Sequence, residues 1–444
     1  MPSHTFSALI GYEVKLKLSS RIWRLLYNAV AVPVLLVFFK AASVVNGKIR
    51  RGFEGRRDLF IRLEREIRKY PAGSPWYWVH VSSLGEFEQG KPVVAAIKER
   101  NPSAKVVVTF FSPSGYEHAR GFKQADLLSY IPLDRPADAR RFVDLIRPRA
   151  AIFIRYDLWF NHIAALNRRG IPVFVASATV NPRRRRGALA ASFLRALYGD
   201  ARILTISADD EGRFRRLGIS AGRIAVMGDT RFDRVWQARE SARRRISLPN
   251  AVTQSRLIFV VGSSWEEDEA VVLPAIAAVR GKFPSMLTIL IPHEPTESNL
   301  DRIEAGLNSH FTYLRFSQIT SYEGEEILIV DSVGILLSLY SLAAAAFVGG
   351  SFKGSVHNVL EPAAFGVPVI VGPNITNSQE AVRLVQEGGA FLVNSDTELS
   401  GTLEKIFGDP GFRERAGSVA ASFVKARTGA TKRFLDALEQ EHVL

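Results

Sequence analysis

The chain has 444 residues, 47% hydrophobic and 23% charged, which is the composition of a folded protein long enough for two domains. It contains no cysteine, and this excludes disulfides, cysteine catalysis and thiolate metal sites. Its net charge of +14 favours an anionic partner, namely nucleic acid, anionic lipid or a phosphorylated substrate, over a plain solvated basic surface. Because no zinc-finger, bZIP or aromatic RNA-binding pattern accompanies this charge, we expect no nucleic-acid partner.

An apolar run from Leu25 to Phe39 lies near the N-terminus, with basic residues on both sides. The run is shorter than the roughly 20 residues that span a bilayer, and Lys40 and Pro33 interrupt a longer helix. No small-residue cleavage site closes it, which argues against a cleaved signal peptide. Since more Lys and Arg follow the run than precede it, we predict a membrane anchor, spanning or interfacial, with the body on the cytoplasmic side. The alternative is an apolar helix packed on the protein body.

Strands alternate with helical stretches from Trp76 onward. In the first half, strands are predicted in YWVHVSSLGE, AKVVVTFF, AAIFIRYDLWF, IPVFVASATV and ARILTISA, with a helix from Phe87 to Arg100. After a charged, turn-rich linker over 239–253, the second half continues with LIFVVGSS, MLTILIPHE, EEILIVDS, AAAFVGGS and GVPVIVGP. This βα spacing predicts parallel sheets.

The alternation predicts an α/β protein with two facing Rossmann-like domains. We expect an anchor and basic flank over 1–57, a first domain over 58–245 and a second over 246–444.

The most informative motif is FVGGSFKGSVHNVLEPAAFGVPVIVGP, which begins at Phe347. Gly350 and Ser351 follow a strand, and glycine lets a ligand approach the backbone. Asn358 precedes a predicted helix that holds Glu361, whose carboxylate can accept both hydroxyls of a ribose, while the helix N-terminus favours phosphate. The alternative is a glycine-rich turn with a capping asparagine.

Other candidate binding residues follow neighbouring strands of the second half. Ser263, Ser264 and His293 could bind phosphate or carboxylate, or could be ordinary polar loop residues. Val333 and Gly334 open a helix and could contact a base or sugar, with a simple βα turn as an equal alternative.

The first half contributes a candidate general base. Glu86 follows a strand and a glycine, and a partly desolvated carboxylate there can deprotonate an acceptor hydroxyl. The alternative is a first-turn glutamate that stabilises the helix dipole. Asp157 lies next to Arg155 in a second charged cluster, where the two could simply pair. Four consecutive arginines, Arg183 to Arg186 and including Arg184, could bind phosphate groups or could form a solvated loop.

Together these strings resemble the family of 3-deoxy-D-manno-octulosonic acid (Kdo) transferases, the lipid A glycosyltransferases of Gram-negative bacteria. The resemblance covers nearly the whole chain and rests on HVSSLGE, TFFSPSG, YDLW, MGDTRFD, DSVG and the glycine-rich motif. It implies a GT-B fold, CMP-Kdo as donor and a phosphorylated lipid A precursor, lipid IVA, as acceptor. It also implies inverting transfer without metal or cofactor, at the cytoplasmic face of the inner membrane.

The resemblance also implies roles for particular residues. Glu86 matches the catalytic base, and Asp157 matches a second acidic residue near the acceptor. On the donor side, Asn358 and Glu361 match residues that bind CMP. Val333 and Gly334 match the loop that touches the nucleotide, and Ser263 and Ser264 match a Ser-Thr pair near the donor.

Two positions depart from the family pattern. Arg155 stands where the family has an acid, and His293 stands where it has an arginine, so a titratable side chain replaces a fixed cation. Three other functions stay open at this point. They are a GT-B lipid glycosyltransferase using a UDP-sugar, a sugar epimerase on the same fold, and a basic nucleic-acid-binding protein.

Overall fold

The computed structural model describes residues 19–180, 187–245, 248–254, 256–307, 310–319 and 322–444. The chain forms two compact units, of which the first comprises Met1–Asp233 and Gly429–Leu444 and the second Arg234–Thr428.

The first unit contains a seven-stranded sheet with all neighbouring strands parallel. Its strands are β1 (Trp76–Val81), β2 (Lys105–Phe110), β3 (Leu127–Tyr130), β4 (Ala150–Ile154), β5 (Val173–Ala178), β6 (Arg202–Thr205) and β7 (Ile224–Val226). They lie in the order β3-β2-β1-β4-β5-β6-β7. The helices of this part of the chain are α1 (Ser19–Val45), α2 (Gly47–Glu54), α3 (Leu59–Ile67), α4 (Leu84–Arg100), α5 (Pro113–Ala119), α6 (Pro136–Ile146), α7 (Phe160–Arg168), α8 (Ala188–Tyr198) and α9 (Ala208–Arg216).

The second unit also contains a seven-stranded parallel sheet. Its strands are β8 (Leu257–Ser264), β9 (Met286–Pro292), β10 (Tyr313–Arg315), β11 (Ile327–Ile329), β12 (Ala345–Val348), β13 (Val369–Val371) and β14 (Ala390–Leu392), in the order β10-β11-β9-β8-β12-β13-β14. The remaining helices are α10 (Thr230–Arg243), α11 (Asn250–Thr253), α12 (Glu266–Val279), α13 (Glu297–Leu307), α14 (Leu336–Tyr340), α15 (Leu360–Ala364), α16 (Gln379–Glu387), α17 (Asp396–Gly408), α18 (Pro410–Lys425) and α19 (Ala430–Gln440). Short 3₁₀ turns lie at Ala221–Arg223 and Phe316–Gln318.

The central strands are continuous apolar runs because helices cover both faces of each sheet. Every residue of β1, β4, β5 and β9 is buried. The predicted α/β class, with two Rossmann-like units, is confirmed.

In each sheet, the unit's first strand lies in the interior, with other strands on both sides. The chain winds outward from β1 to one side through β2 and to the other through β4, and it does the same from β8 through β9 and β12. Such a reversal of strand order opens a crevice at the carboxyl ends of the strands, which is where open α/β sheets bind ligands.

The composition predicts a boundary between residues 245 and 246, but the first unit ends at Asp233 and resumes at Gly429. The helix α10 runs continuously through the start of the expected linker, and the last helix, α19, belongs to the first unit. Phe434 and Leu438 of α19 are buried in the same core as Tyr77 and Phe174. Asp233 accepts hydrogen bonds from the backbone N–H groups of Gly429 and Thr431, which fixes the point where the chain returns.

Helix α1 is longer than the predicted apolar run and includes Lys40. A π-helical segment, Tyr27–Ala31, ends two residues before Pro33, whose ring would otherwise clash with the preceding helical turn. By length and composition α1 could cross a membrane, and 6% of its most apolar window is buried inside the protein.

One face of α1 packs on the first unit. The indole of Trp23 donates to Ser192 Oγ at 3.1 Å, Tyr27 stacks on Phe160 at 5.7 Å, and Phe39 contacts Phe111. The opposite face exposes apolar side chains, among them Leu25, Leu26, Val30, Val34, Val37 and Phe38. The docked helix therefore describes one face of α1, and membrane anchoring by the exposed face stays a prediction.

Candidate active site

Glu86 lies in the first turn of α4, directly after β1. Ser83 caps this helix by accepting from the Glu86 N–H at 3.3 Å, and Glu86 Oε2 accepts from the Ser82 N–H at 2.6 Å. Glu86 Oε1 makes no hydrogen bond within the described part of the chain. The carboxylate therefore supports the helix start, as the structural alternative predicts, and also keeps one oxygen available to accept a proton.

The surroundings of Glu86 suit a base that works near neutral pH. The residue is only 5% exposed. Burial, with a smaller contribution from the Asp157 carboxylate, raises the pKa of Glu86 to about 7, while the backbone N–H groups of Ser82 and Ser83 and the Arg155 guanidinium oppose the rise. A general base is most effective when its pKa is close to the operating pH.

A chain of hydrogen bonds orients Asp157. Thr109 Oγ1 accepts from the indole N–H of Trp78 at 2.7 Å, so its own hydroxyl is free to donate to His80 Nδ1 at 2.9 Å. This leaves the proton of His80 on Nε2, 3.3 Å from Asp157 Oδ2, which also accepts from the indole of Trp159 at 3.3 Å. Burial lowers the pKa of His80, which favours this neutral form, although the Asp157 carboxylate opposes the effect.

Arg155 directly follows β4 and has a backbone φ of 69°, a left-handed conformation that is rare outside glycine. Such strain is frequently found at functional sites. Its Nε is buried and lacks a hydrogen-bond partner within the described residues. The positive charge of Arg155 lowers the pKa of Glu86, so this departure from the family pattern opposes the influence of Asp157.

Two further motifs make structural contacts in the first unit. Gly115 of the TFFSPSG string lets α5 approach closely, since a Cβ there would lie 3.0 Å from the Phe110 ring and 3.4 Å from the Ser83 carbonyl carbon. The MGDTRFD string contains Asp233, which holds the start of α19, and Asp229, which Arg231 grips at 2.7 Å. Although burial alone would raise the pKa of Asp229, this guanidinium holds it below its usual value.

In the second unit, Asp268 of α12 holds the glycine-rich loop in place. Its fully buried carboxylate accepts from the N–H groups of Gly350 at 2.7 Å, Trp265 at 3.0 Å and Phe352 at 3.2 Å. Burial raises the pKa of Asp268, and these three N–H groups oppose that effect. The sequence pattern did not single out this residue.

The glycines of the loop are required by close contacts. A Cβ on Gly349 would lie 2.3 Å from the Ser263 carbonyl oxygen, and one on Gly350, whose φ is 89°, would lie 2.3 Å from the Ser355 oxygen. Ser263 itself has a φ of 56° at the carboxyl end of β8. The two strands that flank the strand-order reversal thus approach each other at backbone level.

Asn358 and Glu361 form a hydrogen-bonded pair at the start of α15. Asn358 Nδ2 donates to Glu361 Oε1 at 3.0 Å, and its Oδ1 accepts from the Leu360 N–H at 3.2 Å. Burial, and to a lesser degree the Glu361 carboxylate, raises the pKa of Tyr340 well above its ordinary value. Glu361 therefore lies beside the buried, neutral phenol of Tyr340, and the side-chain amide of Asn358 fixes the position of its carboxylate.

Three aromatic rings stack at the carboxyl ends of β8 and β9. His293 lies between Trp265 and His357, with ring centroids 4.5 Å apart on each side. The Trp265 indole, which can only donate, bonds His357 Nε2 at 3.0 Å, so the proton of His357 resides on Nδ1. Burial and the neighbouring His293 lower the pKa of His357 to about 4, so the ring is neutral at physiological pH.

Two of the serines predicted to contact the donor already make hydrogen bonds within the protein. Ser264 Oγ donates to Glu269 at 2.8 Å, and Ser351 Oγ accepts from the Gly372 N–H at 2.7 Å, both in buried positions. Their contact with substrate stays a prediction, as does that of Ser263.

The remaining predicted residues differ in their positions. Val333 is 79% exposed, and Gly334 has a φ of 87° in the turn before α14. Arg183 and Arg184 lie outside the described residues. No cluster of three His, Asp or Glu side chains suited to a metal occurs in the described ranges, and metal independence stays a prediction.

Comparison with known proteins identifies the chain's relatives. A family model described as 3-deoxy-D-manno-octulosonic-acid transferase matches residues 57–234. A 3-deoxy-D-manno-octulosonic acid transferase of Haemophilus influenzae is 28% identical over 94% of this chain and 98% of the relative. The protein of that name from Bordetella pertussis is 30% identical over 83% of this chain and 88% of the relative. The chain belongs to the Kdo transferase family.

The family predicted from the motifs is thereby confirmed. Among solved structures, UDP-GlcNAc 2-epimerase from Neisseria meningitidis matches with a TM-score of 0.60 at 14% identity, covering 82% of this chain and 100% of that one. At this identity the likeness shows the fold alone, which is GT-B, and it does not favour an epimerase activity for this Kdo transferase.

Proposed function

We propose that this enzyme transfers Kdo from CMP-Kdo to a phosphorylated lipid A precursor, lipid IVA, with inversion at the anomeric carbon and without a metal ion. Family membership supports the transferred sugar. The observation that carries the mechanism is Glu86, a nearly buried carboxylate with a pKa of about 7 and one free oxygen at the strand-order reversal of the first sheet.

In the proposed step, Glu86 Oε1 takes the proton of the attacking acceptor hydroxyl. The hydroxyl oxygen forms the bond to the anomeric carbon while the bond to the phosphate oxygen breaks, and CMP leaves with the electron pair. A single displacement of this kind inverts the configuration. Asp157 supports the step by keeping Glu86 basic enough to accept the proton near pH 7.

The donor is proposed to bind the second unit. Asn358 fixes the Glu361 carboxylate, which can accept the ribose hydroxyls of CMP. The neutral His357 offers an Nδ1–H donor beside the loop that Asp268 orders, and such a preorganised donor stabilises negative charge on the departing phosphate. Val333 and Gly334 are proposed to contact the nucleotide from the turn before α14.

We propose that α1 holds the enzyme at the cytoplasmic face of the inner membrane by lying in the interface. Trp23 and Phe39 both contact other parts of the first unit, and the 16 residue steps of helix from one to the other correspond to about 24 Å. A helix held to the body over that length cannot also send the same stretch through a hydrocarbon core about 30 Å thick. Its exposed apolar face suits partial burial among lipid headgroups.

Product analysis tests the proposed reaction. Purified protein is incubated with tetraacylated lipid A precursor and either CMP-Kdo or a UDP-sugar, and the product is examined by mass spectrometry and by NMR for anomeric configuration. We expect a Kdo adduct of inverted configuration only with CMP-Kdo. An adduct only with the UDP-sugar, or retained configuration, would contradict the proposal.

Membrane fractionation tests the interfacial helix. Changing Val34, Val37 and Phe38 to serine should release the protein from membranes in a salt wash, because nearby basic residues alone then hold it. Three exposed apolar residues outside α1, Ile61, Leu189 and Val226, changed to serine, serve as a matched control that should stay membrane-bound. Release of the wild type by salt alone would show that α1 does not enter the membrane.

A further inference from the structure

An apolar cavity of about 150 Å³ lies beside α1, α2 and α5 and opens to the surface. Its apolar walls come from Phe39, Ile49, Phe53, Phe111, Pro113 and Leu133. Gly52 of α2 also lines it, and the missing side chain leaves room, since a Cβ there would lie 3.5 Å from Pro113 Cγ. An enclosed apolar cavity of about this volume binds a hydrocarbon the size of benzene, so this space is large enough for part of a hydrocarbon chain.

The cavity is continuous with the exposed apolar face of α1. Phe39, which forms one wall, contacts the ring of Phe38, and Phe38 is 59% exposed. Val34 and Val37 of the same helix are also exposed. A hydrocarbon chain leaving a membrane along α1 would therefore meet apolar surface from the helix to the cavity.

Positive charge accompanies this apolar surface. Lys48 and Arg56 both line the cavity. The Arg56 guanidinium donates to the carbonyl oxygens of Ile131, Gly52 and Phe111, at 2.8 to 3.0 Å, and in the described part of the chain it has no carboxylate partner. Burial lowers the pKa of Arg56 to about 10, so it remains a cation at neutral pH. A ligand with a hydrocarbon chain and an anionic headgroup complements this combination.

The cavity wall also connects to the proposed base. Phe111 stacks on Trp159 at 5.0 Å, and Trp159 donates to Asp157. On the same wall, the Ser112 N–H donates to the Ser82 carbonyl, and the Ser82 N–H donates to Glu86. A chain seated in the cavity would therefore hold its headgroup near the reacting carboxylates.

We propose that this cavity binds one acyl chain of the phosphorylated glycolipid acceptor, with Lys48 and Arg56 facing its anionic headgroup. The inference rests on the proposed function and deepens it, because it assigns an acyl-chain subsite to the acceptor side.

Filling the cavity tests the subsite. Gly52→Leu places a branched side chain in the space, and Gly52→Ala is the matched control, since its methyl group makes only ordinary contacts. We expect Gly52→Leu to raise the KM for tetraacylated acceptor by about tenfold or more, because several methylene groups lose their burial. The KM for the fully deacylated, water-soluble acceptor and the affinity for CMP should stay at the wild-type values.

Leu133→Phe fills the cavity from another wall and replaces Gly52→Leu in the assay if that variant does not fold. An unchanged KM for the acylated acceptor, or an equal rise in KM for both acceptors, would overturn the proposal. The first result would show that no chain enters the cavity, and the second that the change acts through the fold.

A binding measurement separates this inference from the proposed function. Lysophosphatidic acid with a dibrominated acyl chain quenches tryptophan fluorescence at short range, and Trp159 lies against the cavity wall. The signal of Trp159 is isolated by subtraction of the Trp159→Phe variant. We expect quenching in the wild type and Gly52→Ala and at least a tenfold weaker apparent affinity in Gly52→Leu. If the protein transfers no Kdo but this pattern holds, the transfer proposal fails and the lipid subsite stands, whereas equal quenching in all three overturns the subsite.

Discussion

The two units present polar residues at equivalent places in their sheets but use them differently. In the first unit, Asp157 accepts from the side chains of His80 and Trp159, whereas Glu86 accepts from one backbone N–H and keeps its other oxygen free. In the second unit, the buried Asp268 and Ser351 are bonded to backbone N–H groups of the loops. Both arrangements follow the strand-order reversal, where ligands of open α/β sheets bind.

This difference separates residues that react from residues that shape a loop. Burial raises the pKa of both Asp268 and Glu86, but Asp268 satisfies three N–H groups and has little capacity left for a ligand, whereas Glu86 has an oxygen available to exchange a proton. Asp268 thus belongs with the scaffold, although it is as buried as Glu86. Removing the charge of an acid should therefore lower the reaction rate in the first unit and the stability of the fold in the second.

The largest effect is expected at Glu86. Glu86→Gln can still accept from the Ser82 N–H but cannot take a proton, so kcat should fall by about 10²–10⁴ while the affinity for CMP is kept. Rate assays and calorimetry measure the two quantities. Glu88→Gln on the same helix is the control and should keep wild-type turnover.

In the wild type, the rate should rise with pH through about 7, because the raised pKa of Glu86 keeps it protonated at lower pH. Near-normal turnover by Glu86→Gln would remove this residue from the mechanism.

Asp268→Ala should fail in the other way, through the fold. Its loss leaves one buried and two partly buried N–H groups without their acceptor, and we expect the free energy of unfolding to fall by about 3 kcal/mol. Urea denaturation measures this change. The exposed neighbour Glu267, changed to alanine, should shift stability by less than about 0.5 kcal/mol. If Asp268→Ala were as stable as the wild type, the scaffold role would be wrong.

Glu361→Ala should weaken the donor and leave the first unit intact. A hydrogen bond to a charged group contributes about 1.5–3 kcal/mol, so the affinity for CMP should fall by roughly ten- to a hundredfold. Calorimetric titration with CMP measures it, and the exposed Asp396, changed to alanine, is the control. If the affinity for CMP were unchanged and the KM for the acceptor were raised, Glu361 would act on the acceptor rather than on the donor.

The sequence predicts the central strands better than the edges of the sheets. β1, β4, β8 and β9 are long apolar runs that the βα alternation identifies. The four edge strands, β3, β7, β10 and β14, were not predicted, because they have three or four residues each and three of them are largely exposed or half-buried. Short edge strands lack the apolar run that marks a buried parallel strand.

The candidate site shows a similar limit. Glu86, Asn358 and Glu361 could be selected from the sequence because they follow glycines and strand ends in a recognisable motif. Asp268 could not, since it is one of four consecutive acids at the start of α12, and only the fold shows which of them points at the loop. His80 was likewise hidden, because a strand residue reveals its hydrogen-bond partner, Asp157, only once β1 and β4 are paired.

The smallest effect should come from Asp157→Asn, and it tests whether the acids of the first unit act as a pair. The Asp157 carboxylate helps to raise the pKa of Glu86, so its neutral replacement should move the midpoint of the pH–rate profile below about 7. Because asparagine can still accept from His80 and Trp159, the loop should keep its shape, and the maximal rate should fall by about tenfold or less. A full pH–rate profile measures both quantities. Arg155→Gln is the matched opposite, since the Arg155 guanidinium lowers the pKa of Glu86 and its loss should move the midpoint upward. If both variants left the midpoint at the wild-type pH, Glu86 would not be the group that titrates in the profile, and its charge would not be coupled to these neighbours.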